Sequence, residues 1–205
     1  VGERLLRSQL LLPFEKAVKS GAATVMTSYN QVDGIPCTSN KRLLTDILRG
    51  EWGFDGFVYS DLYSIEVIHS LGAACDTAQA ASLALKAGLD MDLGGDAYGN
   101  NLKNELVKGA ISMDDINRAV ANVLRMKFRQ GLFENPYVDP KRARTTCRST
   151  EHIAIAEQVA EEGVVLLKND EVLPLSPTLG RIAVIGPNAD TPYNQLGDYT
   201  APQAR

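Results

Sequence analysis

The sequence has little cysteine and little histidine. The three cysteines, Cys37, Cys75 and Cys147, lie far apart and form no paired-cysteine motif, so a disulfide framework or a zinc site is not expected. The two histidines, His69 and His152, lie in segments of helical pattern. Neither has a second ligand three or four residues away, as a metal site on a helix requires. The sequence therefore predicts no bound metal.

Concentrated positive charge and long apolar runs are also missing. No window is rich in lysine or arginine, and the formal net charge of the 205 residues is -4. Nucleic acids and anionic membrane surfaces recognise basic patches, so neither is an expected partner. No apolar run approaches the roughly 18 residues that span a bilayer. The first residues contain neither an initiator methionine nor a signal-peptide cleavage site, which is typical of sequence from the interior of a longer protein.

The composition, 44% hydrophobic and 22% charged, is that of a folded protein with a core. Short β-branched or aromatic runs alternate with helical stretches over residues 24–130, which favours parallel βαβ units. The predicted strands are residues 24–29, 56–60 and 88–93, the first followed by a turn at Asp33-Gly34. The predicted helices of this region are residues 41–49, 65–71, 77–87 and 112–130.

The helix at 112–130 has the strongest local signals. Ser112 and Asp115 have the spacing of a capping box at its start. One apolar stripe runs along the helix, formed by Ile116, Val120, Val123, Leu124 and Phe128.

The pattern changes after this helix. Residues 133–150 contain Pro136, Pro140 and four lysine or arginine residues, which predicts a surface linker. A helix at 151–162 and strands at 163–167 and 181–185 then predict the start of a second α/β domain. The predicted division is therefore 1–132, 133–150 and 151–205.

Two α/β architectures fit the first region equally well. A closed barrel of eight βα units needs about 250 residues, so three units are either a small open doubly wound sheet or the last part of a barrel. A nucleotide-binding sheet would want a glycine-rich phosphate loop after its first strand. Residues 30–36 hold a single glycine, which argues against that function.

Five motifs in order resemble glycoside hydrolase family 3. RGEWGFDGFVYSD with the upstream VMTSYNQVDGIP is similar to the signature of that family, and the resemblance continues over nearly the whole chain. The motifs lie at residues 25–36 with 49–61, 87–93, 131–140, 161–170 with 173–175, and 182–190. The resemblance implies the last three βα units of a (β/α)8-type barrel followed by the start of a second α/β sandwich domain.

The activity that this resemblance implies is hydrolysis of terminal, non-reducing β-D-glucosyl residues by a retaining, exo-acting β-glycosidase that needs no cofactor. A β-xylosidase is the first alternative, and a non-catalytic sugar-binding relative is the second. The implied partners are an oligosaccharide or β-glycoside substrate and the remaining segments of the same enzyme. A periplasmic or secreted location is expected for the full-length protein.

Asp61 matches the position of the family's catalytic nucleophile, directly after the predicted strand 56–60. Barrel enzymes keep their chemistry at the carboxyl ends of the strands, where side chains from several strands converge. A retaining glycosidase needs one ionised carboxylate to attack the anomeric carbon, and a second carboxyl group about 5 to 5.5 Å away to protonate the leaving oxygen. The alternative is that Asp61 caps the next helix, since aspartate is a preferred N-cap.

Met26 and Tyr29 match positions that line the subsite of the non-reducing sugar, with the Tyr29 hydroxyl close to the nucleophile. A tyrosine hydroxyl there could donate a hydrogen bond that aims the carboxylate. The alternative is that Met26 belongs to the core and that Tyr29 packs against a neighbouring strand.

Two further positions depart from the family pattern. Many β-glucosidases of the family carry Trp directly after the nucleophile, whereas this chain carries Leu62. The missing indole weakens an assignment to glucose and keeps xylose open. Tyr199 stands where relatives place a second Trp, and the resemblance implies that the two Trp residues form an aromatic clamp on the leaving-group sugar, so that Leu62 and Tyr199 occupy the two clamp positions here. The alternative for Tyr199 is a loop residue packed on the domain surface.

The remaining catalytic groups are not expected in this chain. The resemblance places the acid/base glutamate beyond Arg205, and it places most of the sugar-binding side chains in the absent part of the barrel. Asp90 and Asp92 have the spacing of a metal pair or an acid/base pair. Because they alternate along a predicted strand, they are expected to point to opposite sides.

Overall fold

The computed structural model describes residues 1–197 together with Tyr199 and Thr200. The chain forms two compact units, Val1–Val138 and Asp139–Arg205. The last residues of the predicted second domain, 201–205, lie outside the described residues.

The first unit is an α/β structure. Its α-helices are α1 (Glu3–Leu5), α2 (Leu12–Lys19), α3 (Ser64–Ser70), α4 (Thr77–Ala87), α5 (Ala97–Val107) and α6 (Met113–Arg129). Two π-helical segments, Leu6–Leu10 and Arg42–Glu51, and a 3₁₀ turn, Cys37–Ser39, complete the helical part. The strands are β1 (Thr24–Met26), β2 (Gln31–Val32), β3 (Ile35–Pro36) and β4 (Phe57–Tyr59).

The predicted parallel pairing is present. β1 and β4 run parallel in the register Thr24 to Phe57 and Met26 to Tyr59. The predicted third strand, 88–93, is reduced to one parallel bridge between Tyr59 and Met91. The Asp90 side chain accepts the N–H of Val58 at 2.8 Å, so a side chain replaces the backbone carbonyl that a longer ladder would supply.

The predicted turn at Asp33-Gly34 closes the hairpin of β2 and β3. Both turn residues have positive φ, 50° at Asp33 and 80° at Gly34. Two-residue hairpins favour such turns because their twist matches that of the strands.

The main core lies between the parallel strands and the helices around them. Val58, Ile65, Ile68 and Leu89 are completely buried in it. Three fully buried alanines of α4 let neighbouring elements approach that helix closely: Ala80, Ala81 and Ala84.

The capping box of α6 is confirmed. The Asp115 amide donates to the Ser112 hydroxyl, and the Asp115 carboxylate accepts from the Ser112 backbone N–H. That N–H donation, together with donation from the Ser112 hydroxyl, lowers the pKa of the Asp115 carboxyl.

The apolar stripe of α6 is not its buried face. Val120, Leu124 and Phe128 are exposed, and Ile116 and Val123 are only partly buried. The buried face instead carries Ala119, Asn122 and Met126. The reason is a tertiary hydrogen bond: the Asn122 amide reaches the buried Asp90 carboxylate and turns this face inward.

The second unit contains α7 (Pro140–Thr146), α8 (Thr150–Gly163) and a 3₁₀ turn (Pro192–Gln195). The linker predicted at 133–150 therefore includes a helix, which Asp139 caps by accepting the Lys141 N–H at 2.9 Å. The strands predicted at 163–167 and 181–185 are not formed in the described part of the unit. Leu167 and Ile185 are more than nine-tenths exposed, because a strand needs a neighbour to pair with before its side chains become buried.

A buried polar network joins four segments of the first unit. The Asp90 side chain is fully buried, and its Oδ2 accepts from Arg49 Nη2 at 2.5 Å and from the Val58 N–H at 2.8 Å. Its Oδ1 accepts from the Asn122 amide at 3.0 Å, while Arg49 also donates to the Gly56 carbonyl at 2.9 Å. Burial raises the pKa of the Asp90 carboxyl, against the opposite effects of the Val58 N–H and the Arg49 charge.

Replacing Asp90 by asparagine should lower the free energy of unfolding by about 3 to 5 kcal/mol, because the Arg49 charge then stays buried without compensation. Urea unfolding of the full-length protein measures this loss. Asp55→Asn is the matched control, since Asp55 pairs with Arg129 on the surface and exposed pairs contribute little. Equal losses in the two variants would contradict the role given to Asp90.

Candidate active site

The carboxyl ends of the parallel segments meet at one edge of the first unit. Past the end of β1, the Thr27 N–H donates to the Tyr59 carbonyl at 2.9 Å. Past the end of β4, the Ser60 N–H donates to the Met91 carbonyl at 2.9 Å. Residues that follow the strands therefore come together, as expected for parallel strands. Asp61 lies at this edge.

Asp61 is half-buried in the turn between β4 and α3. Its Oδ1 accepts the N–H of Leu62 at 2.7 Å, and its carbonyl accepts the N–H of Ser64 at 3.1 Å. The N-cap of α3 is Tyr63, whose φ is 58°, and no side chain caps this helix. The alternative reading of Asp61 as a helix cap is therefore wrong, and its carboxylate is not used to stabilise α3.

Two buried serines hold the turn on either side of Asp61. Ser60 is completely buried, and its hydroxyl accepts the N–H of Leu93 at 2.8 Å. Ser64 is also buried, and its hydroxyl accepts from the Thr38 hydroxyl at 3.1 Å. Thr38 lies 3.0 Å from the Thr27 hydroxyl, so the chain of hydroxyls continues to the end of β1. Sequence reasoning missed these residues, although a serine at each end of the turn was visible.

Tyr29, Met26 and Leu62 lie at the same edge. The Tyr29 hydroxyl donates to the carbonyl oxygen of Leu62 at 2.6 Å, one residue after Asp61. The Met26 side chain is 48% exposed at this edge. Leu62 is 42% exposed and offers an apolar surface next to the Asp61 carboxylate.

Asp90 and Asp92 point to different partners, as their spacing predicts. Asp90 faces Arg49 and α6, whereas Asp92 accepts from the Tyr98 N–H at 3.2 Å and lies 3.5 Å from the Ser60 hydroxyl. The two carboxylates therefore have separate structural roles. Within residues 1–197, 199 and 200, no group of three histidine, cysteine, aspartate or glutamate residues could hold a metal ion.

Tyr199 lies in the second unit. It is in a turn, and its side chain is 95% exposed among the described residues.

Comparison with known proteins identifies the family. Residues 1–126 match the sequence model described as the Glycosyl hydrolase family 3 N terminal domain. Residues 164–204 match that of the Glycosyl hydrolase family 3 C-terminal domain. The chain belongs to glycosyl hydrolase family 3. The resemblance that the motifs indicated is thus confirmed.

Both kinds of enzyme that the motifs implied are found among the relatives. The chain is 38% identical to a periplasmic β-glucosidase of Salmonella typhimurium over 92% of its length and 25% of the relative. It is 39% identical to a β-xylosidase of Formosa agariphila over 97% of its length and 29% of the relative. The chain therefore spans about a quarter of the length of these enzymes.

A solved structure agrees with these matches. The β-glucosidase from Listeria innocua in complex with glucose superposes with a TM-score of 0.79 at 35% sequence identity, over 86% of this chain and 24% of that chain. The fold of the family 3 enzymes is therefore shared over most of the chain. In the part of the chain that the structure describes, no helix is long and apolar enough to cross a membrane.

Proposed function

We propose that this family 3 chain is part of a retaining, exo-acting β-glycosidase in which Asp61 is the nucleophile. The observation that carries the proposal is the Asp61 carboxylate itself: it lies at the carboxyl end of a parallel strand, half-buried, and does not cap the helix that follows. A carboxylate in that position is available to a substrate at the edge where barrel enzymes carry out their chemistry.

The proposed reaction has two steps. One oxygen of Asp61 accepts the Leu62 N–H, which orients the carboxylate so that the other oxygen attacks the anomeric carbon. The glycosidic C–O bond breaks as an acid/base carboxyl group, which we place outside this chain, protonates the leaving oxygen. Water then attacks the glycosyl ester, the same acid/base group takes its proton, and Asp61 is released with the anomeric configuration retained.

Hydrolysis of terminal β-D-glucosyl residues is our first assignment, and hydrolysis of β-xylosyl residues is the second. The Salmonella relative and the Listeria structure, which holds glucose, support the first. Leu62 in place of the family's Trp and the similar Formosa β-xylosidase support the second. Comparing kcat/KM for aryl β-glucosides and aryl β-xylosides in the full-length enzyme decides between them.

The domain boundaries follow the same proposal. Residues 1–132 form the last three units of the barrel, residues 133–150 connect the domains, and residues 151–205 begin the second α/β sandwich domain. No cofactor takes part, and the remaining segments of the enzyme supply the rest of the sugar site. The periplasmic Salmonella relative supports a periplasmic or secreted location.

Asp61→Asn in the full-length enzyme should lower kcat by several orders of magnitude while the protein stays folded, because an amide is nearly isosteric but a far weaker nucleophile. Steady-state kinetics and circular dichroism measure the two effects. A 2-fluoro glycoside should also label Asp61 of the unmodified enzyme, which peptide mass spectrometry detects. Asp114→Asn, an exposed aspartate of α6, should leave kcat unchanged. More than about a tenth of the original rate in Asp61→Asn would rule out the nucleophile.

The 205-residue chain alone should not turn over aryl β-glucosides. General acid catalysis contributes about 100- to 10,000-fold, and we place both the acid and most of the sugar pocket elsewhere in the enzyme. The test is release of a chromogenic aglycone by the purified chain, with the full-length enzyme as the positive control. Measurable turnover by the isolated chain would show that it contains its own acid.

Tyr199→Ala should lower kcat/KM for disaccharides several-fold and barely change it for a small, activated leaving group. We propose that the exposed Tyr199 ring stacks on the leaving-group sugar, a contact worth about 1 kcal/mol beyond buried area. Kinetics on a disaccharide and on a nitrophenyl glycoside provide the comparison, with Tyr193→Ala as the control for an exposed tyrosine of the same unit. Equal losses on both substrates, or none on either, would remove Tyr199 from the site.

A further inference from the structure

A glycine supports the residue that follows Asp61. A Cβ atom added to Gly94 would lie 2.2 Å from Cδ2 of Leu62 and 3.4 Å from its Cα and Cβ. The first distance is far shorter than a carbon–carbon contact allows. The Leu62 side chain therefore packs directly against the Gly94 backbone. It fills the space that a side chain at position 94 would need.

The backbone around Leu62 is held from two directions. Its carbonyl accepts from the Tyr29 hydroxyl at 2.6 Å, and its N–H donates to Asp61 at 2.7 Å. The next residue, Tyr63, donates its N–H to the Leu93 carbonyl at 3.3 Å. The side chain of Leu62, which is 42% exposed, is the movable part, and the surface of Gly94 determines where it lies.

We propose that Gly94 is a specificity-determining residue, which acts by seating the Leu62 side chain beside Asp61 where it contacts the leaving-group part of the substrate. This inference rests on the proposed function, because it needs Asp61 as the nucleophile and Leu62 at the substrate. A side chain at position 94 displaces the Leu62 side chain from its position against Gly94. The pocket for the leaving group then changes shape, while Asp61 keeps its own contacts.

The full-length enzyme provides a matched pair of variants. Gly94 has a φ of 71° and Gly109 a φ of 73°, so alanine at either position experiences the same left-handed backbone strain. A Cβ at Gly109 would meet nothing within 4 Å. Gly94→Ala and Gly109→Ala should therefore lower Tm by similar amounts, and only Gly94→Ala should change substrate preference.

The measured quantity is kcat/KM for a β-linked disaccharide divided by kcat/KM for a nitrophenyl glycoside of the same sugar. Gly94→Ala should lower this ratio about fivefold or more, and Gly109→Ala should leave it within about twofold of the original value. Gly94→Asn repeats the test with a residue that tolerates positive φ, in case the alanine variant does not fold.

A second pair of variants tests whether the effect passes through Leu62. In a Leu62→Ala background the 2.2 Å contact is absent, so adding Gly94→Ala should change the ratio by less than about twofold. An unchanged ratio in both Gly94 variants, or a change that persists at full size without the leucine side chain, would overturn the inference. Loss of the nucleophile role in the Asp61→Asn experiment would instead overturn the proposed function, so the two failures are distinguishable.

Discussion

The buried pair of Arg49 and Asp90 is the interaction on which the rest of the first unit depends. Removing two charges from water costs several kcal/mol for each ion, and only close pairing with further hydrogen bonds offsets that cost. Asp90 satisfies this demand with three partners on three different elements: the Arg42–Glu51 helix, β4 and α6. These elements cannot shift independently without exposing an unpaired charge to the core. The network lies beside Val58, in the middle of β4, whereas Asp61 lies beyond the carboxyl end of the same strand. The buried ion pair and the proposed nucleophile thus belong to separate parts of one strand.

The same constraint explains the short sheet and the rigid turn. Since the Asp90 side chain takes the N–H of Val58, the third parallel segment forms a single bridge with β4, between Tyr59 and Met91. The chain beyond Met91 is then free to leave the strand path and lie against residues 60–63. There the hydroxyl of Ser60 accepts the Leu93 N–H, so backbone and side-chain hydrogen bonds replace a continued ladder. The turn that carries Asp61 is therefore held by the neighbouring segment as well as by Ser64, the first residue of α3.

Local signals in the sequence predicted local structure well. The capping box at Ser112 and the turn at Asp33-Gly34 depend on residues a few positions apart, and both were correct. The buried face of α6 could not be predicted locally, because it is decided by the hydrogen bond between Asn122 and Asp90, 32 residues apart. The helix α5 was not predicted, since a segment as polar as NNLKNELV has a weak apolar stripe. At the site, motifs indicated Asp61, Tyr29, Met26 and Leu62, while the hydroxyls that hold the turn depend on packing that no short pattern reveals.

Similarity to both β-glucosidases and β-xylosidases follows from what the shared segments do. The motifs at residues 25–36 and 49–61 build the strand ends and the turn that holds Asp61, which any retaining β-glycosidase needs whatever sugar it cleaves. Choice of sugar and leaving group depends on side chains that touch the substrate without supporting the fold. We infer that Leu62 is such a side chain: it is 42% exposed, its backbone is fixed by Tyr29 and Asp61, and its side chain lies against Gly94. A position built this way can exchange indole for leucine without disturbing the proposed nucleophile. Selectivity can therefore diverge within the family while the turn that carries Asp61 stays the same.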